Sequence, residues 1–191
     1  MIPVLKFCLL ACAFALLGLA QGGLTAAAID TTHSKMTVFV YKEGIFAFAA
    51  DNHEVSAPIS SGSFDPATKT VDVKVDATKM QVQDPPSRRD KVQANMVGPD
   101  VLDVAKYPSI TFHSTKVDAD SADRWIVHGE LTLHGQTHPL VVDVVRKDPE
   151  HFTGSAMVRQ SVFGITPIKI AGGTVRVKDD VKVVFDIVLK I

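Results

Sequence analysis

Residues 180–191 read DVKVVFDIVLKI, and within them Val181, Val183, Phe185, Ile187 and Leu189 alternate with Lys182, Val184, Asp186, Val188 and Lys190. A period of two places one residue set on one face of the backbone, so this stretch is a β-strand with a dry side. The same pattern sets Val71, Val73 and Val75 against Asp72, Lys74 and Asp76, and Leu131 and Leu133 against Glu130, Thr132 and His134. Less strict versions cover 36–41, 45–49, 110–117, 140–146, 152–158 and 174–177. Turn formers separate them: Asp65-Pro66 with Thr68, the run 118–123, Gly135-Gln136, Lys147-Asp148-Pro149, Gly172-Gly173 and Lys178-Asp179-Asp180. Connections this short favour antiparallel hairpins, because a parallel crossover needs about a dozen residues. The expected class is all-β, an antiparallel sheet of about nine strands that curls into a barrel or folds into a sandwich. A barrel of about eight strands has room for packed side chains or for one small ligand, and periodicity leaves both open.

One segment breaks the strand pattern. After Asp84-Pro85-Pro86, residues 87–96 offer Ser87 as an N-cap and put Val92 and Met96 four apart on one helical face. Gly98-Pro99 stops that helix, and a further short one is expected over 101–107 before Pro108, giving a helical insertion near residues 87–106.

The first 28 residues carry a single charge, Lys6, followed by the apolar run 7–20 and then Gln21-Gly22-Gly23 and Ala26-Ala27-Ala28. Basic start, apolar centre and small residues in that order are those of a secretory signal, with cleavage expected after Ala28. The expected mature domain is then 29–191, which is 191 less 28, or 163 residues, with 19 basic and 21 acidic side chains. Cys8 and Cys12, the only two cysteines, leave with the leader, so the mature domain has no thiolate chemistry and no disulfide. Twenty Lys plus Arg against 21 Asp plus Glu give no electrostatic footprint for nucleic acid.

Candidate chemistry is sparse. His134 and His138 stand four apart, as metal ligands on a helix do, but they bracket Gly135-Gln136 between two strands and read as turn histidines. The cluster Asp51-Asn52-His53-Glu54 reads either as a catalytic or metal loop around His53 or as a polar turn at a barrel end, and the turn is favoured. No Gly-x-Ser-x-Gly elbow is present, and Gly172-Gly173 precedes a strand rather than a phosphate-binding helix. Arg88-Arg89 suit an anionic head group, or simply form a solvated helix face. No catalytic residue and no metal or cofactor is expected. The aromatic residues Phe39, Phe46, Phe48, Phe64, Phe112, Trp125, Phe152, Phe163 and Phe185 fill a core or line an elongated cavity equally well.

Ile29-Asp30-Thr31-Thr32-His33-Ser34, Gly62-Ser63-Phe64-Asp65, the run DVAKYPSITF at 103–112, Gly129-Glu130-Leu131-Thr132 with Gly135 and Thr137, and Arg159 to Ile165 follow one another along the chain. Taken in that order they resemble the YceI-like family of lipid- and polyisoprenoid-binding proteins. Val162 stands where that family commonly has an acid, and 85–90 only partly resembles its usual Arg-Asp stretch. The resemblance implies an extended, lipocalin-like antiparallel β-barrel in the periplasm, holding a polyisoprenoid, an isoprenoid quinone or a related lipid. By strand phase Met36, Val38, Val40, Ile110, Phe112, Leu131, Leu133, Phe185 and Ile187 then face that interior. Phe46, Phe48, Trp125, Val92 and Met96 are expected as further wall or lid, and His53, Arg88 and Arg89 at the polar end of the ligand. A membrane redox protein, another envelope component and a second copy of the chain are the partners the resemblance leaves open. The competing readings are a non-catalytic interaction domain with a filled barrel and a His-dependent metalloenzyme.

Overall fold

Alternation becomes sheet over most of the chain. The structure is a computed structural model that describes residues 25–44, 52–170 and 174–190. Its strands and helix are β1 (Ala27–Ala28), β2 (Lys35–Val40), β3 (Lys42–Glu43), β4 (His53–Ser56), β5 (Ile59–Asp65), β6 (Thr70–Asp76), β7 (Gln81–Val82), α1 (Pro86–Val97), β8 (Ser109–Ser121), β9 (Arg124–Leu133), β10 (Gln136–Asp148), β11 (His151–Arg159), β12 (Lys169–Ile170), β13 (Val175–Val177) and β14 (Asp180–Val188). Eleven of these strands form one antiparallel sheet in the order β1-β5-β6-β8-β9-β10-β11-β14-β2-β4-β7, and β12-β13-β3 form a small second one.

The large sheet meets itself. Residues 27–40 run beside 53–65: Ala27 faces Phe64, Ile29 N–H donates to the Gly62 carbonyl at 2.9 Å, Ala57 N–H to the Met36 carbonyl at 2.9 Å, and Val40 faces His53. On its other side the same run faces β14, with Met36 opposite Phe185 and a bridge from Ile29 to Leu189. The ring therefore has eight walls, namely 27–40, 53–65, β6, β8, β9, β10, β11 and β14. The expected eight strands correspond to these walls; the strand count is higher because two walls are broken. Pro58 interrupts one, and the other bends at a turn where the Asp30 carboxylate accepts the Thr32 N–H at 2.9 Å.

The barrel is long: β8 and β10 have 13 residues each, about 40 Å at ~3.4 Å per residue. Its two ends differ. The hairpin end has the short links β5–β6, β8–β9 and β10–β11, and the opposite, insertion end carries α1, the small sheet and the β9–β10 turn.

Several boundaries differ from expectation. The polar run 118–123 is mostly strand, since β8 continues to Ser121 and only two residues turn. The β9–β10 turn is His134-Gly135, both at positive φ (51° and 71°), the left-handed pair that matches the twist of a two-residue hairpin. His53 and Glu54, expected in a turn, begin β4 because they continue the wall paired with β2. Helix α1 starts at Pro86 with Pro85 at its cap and no side-chain cap bond, so Ser87 is not its N-cap. No second helix forms over 101–107: Asp103 sits at φ 45°, and its N–H turns back to the Gly98 carbonyl at 2.8 Å. The expected strand 45–49, with Phe46 and Phe48, and the Gly172-Gly173 turn lie outside the described residues.

Candidate functional site

Inward-facing side chains from all eight walls surround a cavity of about 480 Å³ that runs the length of the barrel. Met36, Val38, Val40, Ile110, Phe112, Trp125, Leu131, Leu133, Phe185 and Ile187 line it, and Met96 of α1 reaches it from the insertion end. Val92 does not line it but packs against the core beside it. Volumes of about 300–1,000 Å³ are usual for small-molecule sites, and this wall is almost wholly aliphatic and aromatic.

Two glycines shape the interior. A Cβ at Gly154 would lie 2.3 Å from the Phe185 ring, and one at Gly129 would lie 2.4 Å from the Phe112 ring. Without those carbons each ring lies down against the neighbouring strand instead of standing into the barrel.

The cavity is closed at one end and open at the other. At the insertion end Met80, Leu102, Phe163 and Ile165 are buried in the main core cluster, and α1 covers it. The helix is fastened there by Gln93, whose side-chain carbonyl accepts the Val82 N–H and whose amide donates to the Met80 carbonyl, both at 2.9 Å. At the hairpin end Phe64, Val117, Trp125, Val144 and Phe152 are only half-buried, and Ala119 and Lys69, which also line the cavity, are exposed. Phe152 links Phe64 and Trp125 with ring centroids 6.5 and 6.3 Å away, forming an aromatic rim.

The three residues expected at a ligand head group lie elsewhere. His53 Nδ1 is 2.7 Å from Oδ2 of the buried Asp84, and Arg89 Nε donates to the Asp84 main-chain carbonyl at 3.0 Å. Neither they nor the exposed Arg88 line the cavity; two of them tie the start of α1 to the barrel edge instead. His134 and His138 also have separate partners: His134 Nδ1 lies 3.1 Å from the Phe163 carbonyl, and His138 Nε2 lies 3.3 Å from the Gln136 side-chain oxygen. His33, His113, His128 and His151 each sit within 3.3 Å of one aspartate. Among the described residues no three His, Cys, Asp or Glu side chains converge.

Sequence reasoning missed Leu140, Val142 and Val144, although their alternation carried the signal, and Ala156, whose small side chain widens the middle of the cavity. It also missed Lys69, which sits in a turn where strand phase says nothing.

Comparison with known proteins agrees with this architecture. The YceI-like domain matches residues 28–189. A UPF0312 protein of Vibrio cholerae is 33% identical over 115 residues, 54% of this chain and 58% of that protein, so the chain spans less than two thirds of that relative's length. A UPF0312 protein of Shewanella is 29% identical over 148 residues, 72% of this chain and 75% of that protein. Among solved structures, Burkholderia cenocepacia BcnA superposes with a TM-score of 0.63 at 21% identity, covering 85% of this chain and 99% of its own. A polyisoprenoid binding domain from Saccharophagus degradans superposes with a TM-score of 0.58 at 14% identity, covering 87% and 98%. At those identities the likeness is one of fold.

Proposed function

The chain belongs to the YceI-like family, and from that membership and its cavity we propose that it is a non-catalytic binding protein for a long apolar lipid, a polyisoprenoid, isoprenoid quinone or related molecule. The observation that carries the reading is an apolar cavity running the length of the barrel and open at one end. Each methylene moved from water into it contributes about 0.8 kcal/mol, so a chain binds tightly without a strong polar contact. The description of the Saccharophagus neighbour as polyisoprenoid binding supports the ligand class. The wall residues named above, from Met36 to Ile187, are the proposed ligand contacts.

Export to the periplasm through a leader removed after Ala28 belongs to the same proposal. Ala27 and Ala28 then leave with the leader, and Ile29, buried and 2.9 Å from the Gly62 carbonyl, becomes the first residue. N-terminal sequencing of envelope-purified protein should read Ile29 first; an intact Met1 contradicts it. In the periplasm the lipid is exchanged with the membrane or an envelope partner, a quinone-using redox protein among them.

Trp125 is the single tryptophan and lines the cavity, which gives a direct assay. Titrating delipidated protein with geranylgeraniol should change its fluorescence saturably at one equivalent. No saturable change with any long-chain ligand overturns the carrier reading.

A further inference from the structure

Among the described residues that line the cavity, Lys69 alone carries a formal charge. The other polar residues there offer little to a ligand. Ser63 and Thr111 alternate with inward-facing neighbours, Gly62 and Phe64 or Ile110 and Phe112, so they contribute backbone to the wall. Gln160 spends its amide on the Lys178 and Asp179 carbonyls, at 2.9 and 3.4 Å, and belongs to the insertion end.

Lys69 stands at the hairpin end, where the cavity opens, beside Phe64 and Pro66. No hydrogen bond or ion pair engages its ammonium among the described residues. Four aspartates of this end are otherwise occupied. The Asp65 carboxylate accepts the Ala67 and Thr68 N–H groups at 2.8 and 3.4 Å, which holds its carboxyl below the usual carboxylate range. Asp118 pairs with Lys116 at 2.7 Å, Asp123 with Arg146 at 2.6 Å and Asp120 with Arg124 at 3.5 Å. Lys69 also holds a left-handed backbone, φ 57°, which glycine or asparagine adopts more easily.

An unpaired cation at the rim of an otherwise apolar tunnel is matched by one kind of ligand. We infer that this protein selects long-chain amphiphiles with an anionic head, a phosphate or a carboxylate, whose tail fills the barrel and whose head meets Lys69 at the open end. The inference rests on the carrier reading. It moves the polar end of the ligand from the insertion end, where His53, Arg88 and Arg89 lie, to the opposite mouth.

The test compares delipidated full-length protein with geranylgeranyl phosphate and geranylgeraniol, and with palmitate and hexadecanol, by Trp125 fluorescence. Wild-type protein should prefer the anion in at least one pair, by about fivefold to tenfold for a half-screened charge-assisted contact, and added salt should shrink that preference. The pair that shows it distinguishes phosphate from carboxylate. Lys69→Gln should abolish the preference, bringing anion and alcohol to equal affinity, and Lys69→Arg should retain it. Equal affinities for anion and alcohol in the wild type, or a preference that survives Lys69→Gln, overturns the inference while the carrier reading stands. Failure of all four ligands overturns both.

Discussion

Replacing Ala156 by phenylalanine separates a ligand cavity from a packed core. Ala156 lies in β11 opposite Val142 of β10 and Val183 of β14, is 8% exposed, and lines the cavity. The substitution adds six carbon atoms to the side chain. At the ~30 Å³ a water occupies, a volume of about 480 Å³ holds roughly 16 methylene-sized groups, so the new ring removes about two fifths of the places. With each methylene contributing about 0.8 kcal/mol, displacing up to six costs a ligand at most ~5 kcal/mol. A tail that slides toward the mouth recovers part of that, so the expected loss is at least about 100-fold, or ~2.7 kcal/mol. The free protein should tolerate the ring, because overpacking costs about 1–3 kcal/mol only where no space exists. Thermal melts with and without geranylgeraniol read both effects. Ligand at 100 times Kd adds ~2.7 kcal/mol of stability, and at about 2–4 °C per kcal/mol the wild type should gain roughly 5–10 °C. Ala156→Phe should melt unliganded at the wild-type temperature and gain almost nothing. A variant that melts more than about 5 °C lower yet binds as before refutes the cavity.

Other perturbations probe the closed end, the turns and the response to acid. Gln93→Ala removes both side-chain bonds from α1 to Met80 and Val82, and at about 0.5–1.5 kcal/mol each should destabilise the protein by ~1–3 kcal/mol in a denaturant titration and raise hydrogen exchange in 80–97 ahead of the barrel strands. Gly135→Ala places a Cβ 2.3 Å from the Tyr107 ring at a φ of 71°, and should cost at least ~1–2 kcal/mol in the same titration. Asp76 accepts hydrogen bonds from Thr78 and pairs with Lys79, which hold its carboxyl below its ordinary value of 3.8. Because the folded state binds that proton less readily than the unfolded one, Asp76 stabilises above the ordinary value and ceases to as pH falls through the lowered one. Asp76→Asn should therefore lower the melting temperature at pH 7 and lose that deficit near pH 2; a deficit that persists in acid contradicts the assignment.

The strand phase was legible because one face of each wall is apolar. Val181 to Leu189 and Leu131 to Leu133 declare their inward residues by alternation alone, and those residues line the cavity. Wall 53–65 was harder to read: ISSGSFD carries serines and a glycine where hydrophobic partners would stand, because Gly62 leaves room for the Ile29 side chain. The residues read as a head-group site lie off the cavity for a different reason. His53, Arg88 and Arg89 form a dense polar cluster in sequence, yet His53 and Arg89 are drawn to Asp84 to anchor a helix. Lys69 lies in a turn of ordinary composition, and only the closing of the barrel brings it to the cavity. Whether the interior was filled or hollow was beyond any pattern, since it depends on how Phe112 and Phe185 fold against Gly129 and Gly154.

The most direct measurement is native mass spectrometry, with solvent extraction, of protein purified from the envelope of its own cell under conditions that retain lipids. The protein should carry one long-chain isoprenoid or related lipid per chain, and Ala156→Phe prepared in parallel should carry little of it. Protein that arrives at its bare polypeptide mass, with nothing extractable and no lipid taken up afterwards, contradicts the carrier function.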